Sequence, residues 1–208
     1  MPTPPGYVAS HTRAKLAIVF LVLRTCVDVP LILLVPMAPV LVAALGGPRA
    51  LDLVHAMTIA TLVMLAVTAT VFLRWFHRIV LNARAFAEDE VPYTPAEAVT
   101  AWFIPIVSLF RPYQITRAVE RASLGDLASP SSLVSSWWAA YYGRLILRGA
   151  IAFATSSLDH GARVAGACAS VAAELVAVGL AISLVRYIER IQTARAAMTP
   201  SAIAEVFR

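Results

Sequence analysis

Five ionisable residues lie inside long apolar stretches of the sequence: Arg24, Asp28, Arg144, Arg148 and Glu174. A charged side chain at the centre of a bilayer costs at least about 2.5 kcal/mol on the insertion scale, so such residues usually face partners or water. At about 1.5 Å of helix rise per residue, Asp28, Arg148 and Glu174 fall at one depth of a membrane. Arg24 and Arg144 fall at a second depth, nearer the cytoplasm. We therefore expect a buried network of Asp28, Arg148 and Glu174.

Three arginines against two carboxylates leave this network with one excess formal positive charge. Ala162, Gly166 and Ser170 precede Glu174 at four-residue steps, and such a small-residue face permits close helix approach in lipid. A structural role in holding helices together is the favoured interpretation. A pathway or site for a ligand or ion, and contacts with a partner's transmembrane helix, are the alternatives. No enzyme is expected, because no Ser-Lys, paired-Asp or His-rich arrangement recurs at helical spacing.

The sequence predicts no metal site and no cofactor. The four histidines are scattered, and none has a His or Cys three or four residues away. Cys26 and Cys168 both lie inside apolar stretches, where packing is a commoner role than a disulfide or a metal pair. Neither a phosphate-binding glycine loop nor a nucleophile elbow is present.

Four apolar stretches are long enough to cross a hydrocarbon core about 30 Å thick, which takes roughly 20 helical residues. They cover about residues 15–45, 52–76, 133–158 and 163–186. A fifth stretch, 98–110, is shorter and contains Pro105, so it falls in the length range of re-entrant or interfacial segments. The charged fraction of 14% agrees with a membrane protein, since soluble domains carry about 25%.

The distribution of Lys and Arg predicts which helix ends are cytoplasmic. If 98–110 does not cross, the successive regions outside the spans carry two, one, six, one and four basic residues. Positive charge beside a span resists translocation, so both termini and the central region are expected inside. A crossing at 98–110 would move the following arginines and the basic C-terminal region outside. The four-span arrangement is therefore favoured.

Local signals in the central region predict a broken helix. The run Thr94-Pro95-Ala96-Glu97 has the pattern of a capping box, so a helix is expected to begin near residue 95. Pro105 removes a backbone donor and disfavours a straight helix. Pro112 suits a second helix start, and Gly125 suits its end. We predict a re-entrant or interfacial broken helix over 95–123.

The second part of that broken helix has an amphipathic pattern. Its apolar face is formed by Ile115, Ala118, Val119 and Ala122. The polar residues Arg117, Glu120 and Arg121 are expected to lie off this face.

Ten residues of the central region form what we term the cytoplasmic-face motif: Arg74, Trp75, His77, Arg78, Asn82, Trp102, Pro105, Arg111, Pro112 and Tyr113. Aromatic residues in such positions are typical of interfacial anchors. The arginines fit topology determinants and contacts with lipid headgroups, and a dedicated anion site is the alternative.

Four short sequences occur together in this region: Arg74-Trp75-Phe76-His77-Arg78 with Asn82-Ala83, Ala101-Trp102-Phe103-Ile104-Pro105-Ile106, Arg111-Pro112-Tyr113-Gln114, and Arg121-Ala122-Ser123. In combination they resemble the bacterial membrane family called domain of unknown function 4328. The resemblance covers about residues 14–190, and its specific motifs lie in 73–123. It implies a multi-span bacterial membrane domain and supplies no biochemical role.

The sequence as a whole predicts an all-α integral membrane protein of the bacterial cytoplasmic (inner) membrane. Four transmembrane helices and the central broken helix are expected, with both termini cytoplasmic. Residues 1–13 are expected to form a disordered cytoplasmic tail, 14–198 a single membrane domain, and 199–208 a short cytoplasmic tail.

The expected function is a non-enzymatic membrane module that acts through protein or lipid contacts. Membrane lipids, and a membrane protein or further copies of this chain, are the expected partners. The alternative is a small transporter or ligand-binding membrane protein that uses the buried Asp, Glu and Arg residues. The net charge of +5 does not point to nucleic acid, because the basic residues flank the spans and form no separate basic domain.

Overall fold

A computed structural model of the chain describes residues 6–34, 36–125, 129–154 and 158–198. All regular structure in these ranges is helical, as the sequence predicts. The α-helices are α1 (His11–Leu34), α2 (Ala38–Leu45), α3 (Gly47–Phe86), α4 (Pro95–Thr100), α5 (Pro105–Ser108), α6 (Arg111–Leu124), α7 (Leu133–Ala154) and α8 (His160–Ala197). A 3-10 turn, Glu88–Glu90, lies between α3 and α4. The predicted tail 199–208 and residues 155–157 of a predicted span lie outside the described residues.

The stretch 15–45, predicted as one span, forms two helices. α1 ends at Leu34, and α2 begins at Ala38 with Pro39 in its first turn, where a missing backbone N–H is tolerated. One residue, Gly46, separates α2 from α3. Its φ of 82° is a backbone conformation that residues with a side chain rarely adopt.

Three helices, α1, α3 and α8, are long and apolar enough to cross a membrane. Only 17%, 6% and 33% of their most apolar windows is buried within the chain, so most residues of these windows are not covered by other parts of the structure. α7 has 22 residues, about 33 Å at the usual helical rise. It is not among the three candidate spans, because Arg144 and Arg148 lower its mean hydropathy.

The predicted single domain over 14–198 divides into two compact units. Unit 1 comprises Met1–Ala17, Thr70–Ser136 and Ser183–Arg208, and unit 2 comprises Ile18–Ala69 and Trp137–Ile182. The cytoplasmic-face motif belongs to unit 1. The five ionisable residues of the apolar stretches belong to unit 2.

An aromatic cluster and aliphatic side chains form the core of unit 1. Trp102 packs edge-on against Phe72 and Phe76 of α3, with ring centroids 5.6 and 5.8 Å apart. Edge-to-face contacts of this kind add to the hydrophobic gain from burial. They hold the chain after α4 against α3.

Close helix packing characterises unit 2. A Cβ atom at Gly166 of α8 would lie 3.3 Å from Cγ2 of Ile151 in α7, which is tighter than ordinary van der Waals contact. The small face expected around Gly166 therefore allows the close approach. In the same unit, Thr68 Oγ1 of α3 donates a hydrogen bond to the carbonyl oxygen of Phe20 in α1, at 3.2 Å.

The central region is a broken helix, and its local start signal is confirmed. Thr94 Oγ1 accepts from the Glu97 backbone N–H at 3.2 Å, and Glu97 Oε2 accepts from the Thr94 N–H at 2.8 Å. α4 ends at Thr100, and Pro105 begins the separate helix α5. α6 begins one residue before Pro112 and ends before Gly125, as predicted for that glycine.

Candidate functional site

In unit 2 the first ion pair joins two residues of α1. Arg24 Nε lies 3.1 Å from Asp28 Oδ2, across one helical turn. The Asp28 side chain is buried, and its other oxygen, Oδ1, has no hydrogen-bond partner among the described residues. A buried carboxylate oxygen without a donor is costly, so this atom is a candidate contact for a proton, a cation or a partner.

The second ion-paired group joins α7 to α8. Glu174 Oε2 accepts from Arg144 Nη1 at 2.8 Å, and Arg148 Nη1 lies 3.7 Å from the same oxygen. The Arg144 guanidinium carbon also lies 4.9 Å from the centroid of the Tyr141 ring, a cation–π distance. Glu174 and Arg144 are buried, whereas Arg148 is partly exposed.

The ionisable residues form two separate ion-paired groups, whereas the sequence predicted one network of Asp28, Arg148 and Glu174. Asp28 pairs with Arg24 and makes no ion pair with Arg148, while Glu174 is held by both arginines of α7. Residues four apart on one helix are neighbours, so Arg24 reaches Asp28, and Arg144 and Arg148 reach one carboxylate. Equal depth along a membrane does not determine which helices are adjacent.

In unit 1 a buried amide holds the chain before α1. Asn82 Oδ1 accepts from the Val8 N–H at 3.2 Å, and Asn82 Nδ2 donates to the Val8 carbonyl at 3.1 Å and to Gln192 Oε1 at 3.2 Å. Residues 6–13 therefore differ from the disordered tail expected over 1–13, since they are tied to α3 and α1 begins at His11. Residues 1–5 lie outside the described part of the chain.

Glu189 of α8 is a second buried polar centre of unit 1. It accepts hydrogen bonds from Ser10 Oγ and, at 3.2 Å, from Trp75 Nε1, and His11 Nδ1 lies 3.3 Å from its Oε2. Trp75 is 1% exposed, so it is a core residue with a polar contact and not the expected interfacial anchor. Glu189 and Gln192 were not predicted as buried polar residues. Their only local signal was a spacing of three residues, which places both on one face of a helix.

Glu120 of α6 is the third such centre and corrects the amphipathic interpretation. It was expected off the apolar face, yet it is fully buried. Its Oε1 accepts from Ser131 N and Oγ, at 2.8 and 2.9 Å, and from Tyr187 OH at 3.0 Å. Oε2 accepts from Arg117 Nη1 at 2.9 Å. These donors compensate for the desolvation of the carboxylate.

Tyr113 shares the donor Arg117 with this carboxylate. Its hydroxyl is 3.3 Å from Ser135 Oγ and accepts from Arg117 Nε at 3.3 Å. The Ser135 contact, and then Arg117, lower the pKa of Tyr113, because both stabilise the phenolate. The Tyr113 hydroxyl in turn raises the pKa of Arg117.

The break between α4 and α6 exposes apolar side chains. Phe103 is 70% exposed and Ile106 is 73% exposed. Three further large apolar residues of this segment are exposed as well: Ile104, Leu109 and Phe110. We term residues 103–110 the exposed apolar segment.

Two motif residues lie within or directly after the exposed apolar segment. Pro105 lies within it and begins α5. Arg111 follows it, donates to Tyr93 OH at 3.1 Å and lies over the Tyr93 ring, with its guanidinium carbon 5.2 Å from the centroid. The side chain of Pro112, by contrast, is buried in the first turn of α6.

The remaining motif residues line an open groove of unit 1. Its basic side chains come from α1 and α3: Arg13, Arg74, His77 and Arg78. Its other lining residues are Thr70, Leu73, Leu81 and Val99, and its volume is about 470 Å³. We term it the arginine groove. It brings Arg13, expected only as a topology determinant, next to three residues of the cytoplasmic-face motif.

Three helices that are long and apolar enough to cross a membrane, and little buried within the chain, fit an all-helical membrane protein. The family described as Domain of unknown function (DUF4328) matches the chain over residues 48–193, and the chain belongs to this family. The family resemblance seen in the sequence is thus confirmed, while α1 and α2 precede the matched region. No curated protein and no solved structure matches the chain.

Proposed function

We propose that this chain is a multi-pass protein of the bacterial cytoplasmic membrane and a non-enzymatic module that acts through protein or lipid contacts. Four helices, α1, α3, α7 and α8, cross the membrane, and both termini are cytoplasmic. The central region from α4 to α6 stays on the cytoplasmic side and dips into the membrane surface.

The observation that carries this proposal is that the charges inside the apolar helices bind one another. Glu174 is 1% exposed and contacts both Arg144 and Arg148, while Arg24 pairs with Asp28. The Glu174 contacts join α7 to α8, whereas the Arg24–Asp28 pair lies within α1. Removing one member of a buried pair leaves an uncompensated charge, so the contact between α7 and α8 is expected to be sensitive to the loss of either partner. This is the pattern of a structural assembly of helices, with its outer apolar surface left for lipid or partner helices.

α7 is proposed as the fourth crossing because its two arginines have a partner. Arg144 is buried against Glu174, so its charge is not presented to hydrocarbon. The positive-inside rule supports the same topology, since the regions placed inside carry two, six and four basic residues and those outside carry one each.

The exposed apolar segment supports a dipping central region. Five large apolar side chains in eight residues are exposed there, and each Å² removed from water gains about 25 cal/mol. A bilayer surface or a partner protein would remove this area from water. The length of 103–110 is too small for a crossing.

Native mass spectrometry of the protein, gently solubilised from its own host, tests the module function. A fixed multimer, a defined partner mass or reproducibly retained lipid is the expected result. A retained small molecule that disappears in Asp28→Asn, with the fold preserved, contradicts the proposal.

The second candidate is a small transporter or ligand-binding protein, and one observation favours it. Asp28 Oδ1 is buried and has no hydrogen-bond donor among the described residues. A transporter that uses this oxygen loses transport in Asp28→Asn while it keeps its fold. A module tolerates that substitution as long as the helices assemble.

A further inference from the structure

The arginine groove concentrates positive charge in unit 1. It is lined by three guanidinium groups and one imidazole, and none of its eight lining residues is acidic. Arg13 acts on Arg78 as a like charge. Such a cluster is electrostatically unfavourable unless an anion occupies it or solvent screens it.

The arginines of the groove have unused donors. Within the described ranges, Arg13 and Arg74 are exposed and make no hydrogen bond or ion pair. Arg78 donates through Nε to the Val8 carbonyl at a long 3.4 Å, and its buried Nη2 has no partner there. A buried guanidinium nitrogen without an acceptor costs free energy, which an anion oxygen would recover.

The shape and chemistry of the groove select among anions. Guanidinium groups bind phosphate oxygens through paired, charge-assisted hydrogen bonds, and one phosphate offers enough oxygens for several arginines. Leu73, Leu81 and Val99 form apolar walls beside the charges. A ligand with a phosphate at one end and an aliphatic part at the other satisfies both sets of residues.

We propose that the arginine groove binds a phosphate ester with an aliphatic part, either the headgroup of an anionic phospholipid or a soluble phosphate ester. The inference deepens the lipid-contact side of the proposed function and rests on its topology. Arg74, His77 and Arg78 follow the apolar part of α3, where the headgroups of the inner leaflet would lie. That leaflet is rich in anionic lipid, which attracts basic residues near its surface.

The test uses the full chain in an uncharged detergent. Native mass spectrometry measures binding of phosphatidylglycerol against phosphatidylcholine, and titration calorimetry measures binding of glycerol 3-phosphate and inorganic phosphate. The groove variant carries Arg13→Gln and Arg74→Gln, two exposed positions at which the fold is expected to persist. The control variant carries Arg121→Gln and Arg190→Gln, which remove the same charge from exposed sites outside the groove.

The expected result is preferential binding of phosphatidylglycerol, weakened about fivefold for each groove arginine removed and by less than about twofold in the control. Arg13→Lys with Arg74→Lys should recover part of the affinity, because the charge remains and the paired donors are lost. Binding of glycerol 3-phosphate that is lost in the same variant identifies a soluble ester as the source.

Two results overturn the inference. One is equal weakening in the groove and control variants, which would make the attraction a general charge effect. The other is binding of phosphatidylglycerol that is no stronger than binding of phosphatidylcholine, together with no measurable binding of glycerol 3-phosphate or inorganic phosphate. Neither result contradicts the proposed module function or the proposed topology. Native mass spectrometry of the solubilised protein tests the module function separately, and reporter fusions test the topology.

Discussion

At the scale of single residues, three buried carboxylates take their donors from elsewhere in the chain. Glu174 of α8 is bound by arginines of α7, and Glu120 of α6 by Ser131 and by a tyrosine of α8. Glu189 of α8 is bound by Ser10, which precedes α1, and by Trp75 of α3. Each therefore joins separate elements within its own unit. Their pairing makes these positions sensitive to loss of charge.

Glu174→Gln is expected to lower the free energy of unfolding by about 3 kcal/mol, because Arg144 is then buried without its counter-charge. Thermal unfolding in detergent measures the loss. Glu88→Gln is the matched control: the Glu88 side chain is exposed although it pairs with the half-buried Arg84, and the change should cost less than about 1 kcal/mol. Equal effects of the two substitutions would show that the α7–α8 pair contributes no particular stability.

The sequence alone located the charges and the contact between Arg148 and Glu174, but not the pairing of Asp28 with Arg24 or of Arg144 with Glu174. Apolar context identified Arg24, Asp28 and Glu174, since charge inside an apolar stretch is visible locally. The partner of Asp28 was predicted wrongly, because depth along a helix carries no information about helix adjacency. Glu120 was placed off the apolar face, because its donors lie on distant parts of the chain.

At the scale of secondary structure, the central broken helix was predictable because its signals are local. The capping box, Pro105 and Gly125 each act within a few residues. The division of 15–45 into two helices was not foreseen, although Pro36 and Pro39 lie at the break. Apolarity indicates burial or lipid contact and does not by itself show that a helix is continuous.

Thr94→Ala is expected to reduce stability by about 1 kcal/mol, because it removes the acceptor for the Glu97 N–H at the start of α4. Thr94→Ser keeps that acceptor and should leave the unfolding temperature close to that of the unchanged chain. Thermal unfolding of both variants checks this. Equal losses in the two variants would argue against the capping contact.

Gly125→Ala is expected to cost about 1–2 kcal/mol, because the residue has φ 54° and ψ −142°, a region open almost only to glycine. The added Cβ would also lie 2.7 Å from Arg195 Nη1, so that side chain must move. Gly143→Ala, within α7 and with no atom close to the new Cβ, is the control and should leave stability unchanged or raised. A neutral Gly125→Ala contradicts the backbone requirement.

At the scale of the whole chain, hydropathy predicts where helices meet lipid but not where they end. α3 continues to Phe86 and α8 to Ala197, beyond the predicted span ends near residues 76 and 186. Both extensions lie in unit 1, where Asn82 and Gln192 bond to each other. Helical backbone bonding continues after the apolar run stops. Composition alone therefore could not show that the ends of α3 and α8 belong to a separate compact unit, unit 1.

The central claim is a chain with four crossings whose middle region and C-terminus are cytoplasmic. Fusion of a fluorescent protein or of a periplasmic phosphatase after Gly46, Gly125, Asp159 and the last residue tests it most directly. The account predicts phosphatase activity after Gly46 and Asp159, and fluorescence after Gly125 and at the C-terminus. Phosphatase activity after Gly125 would contradict it, because α4 to α6 would then lie on the outer side of the membrane.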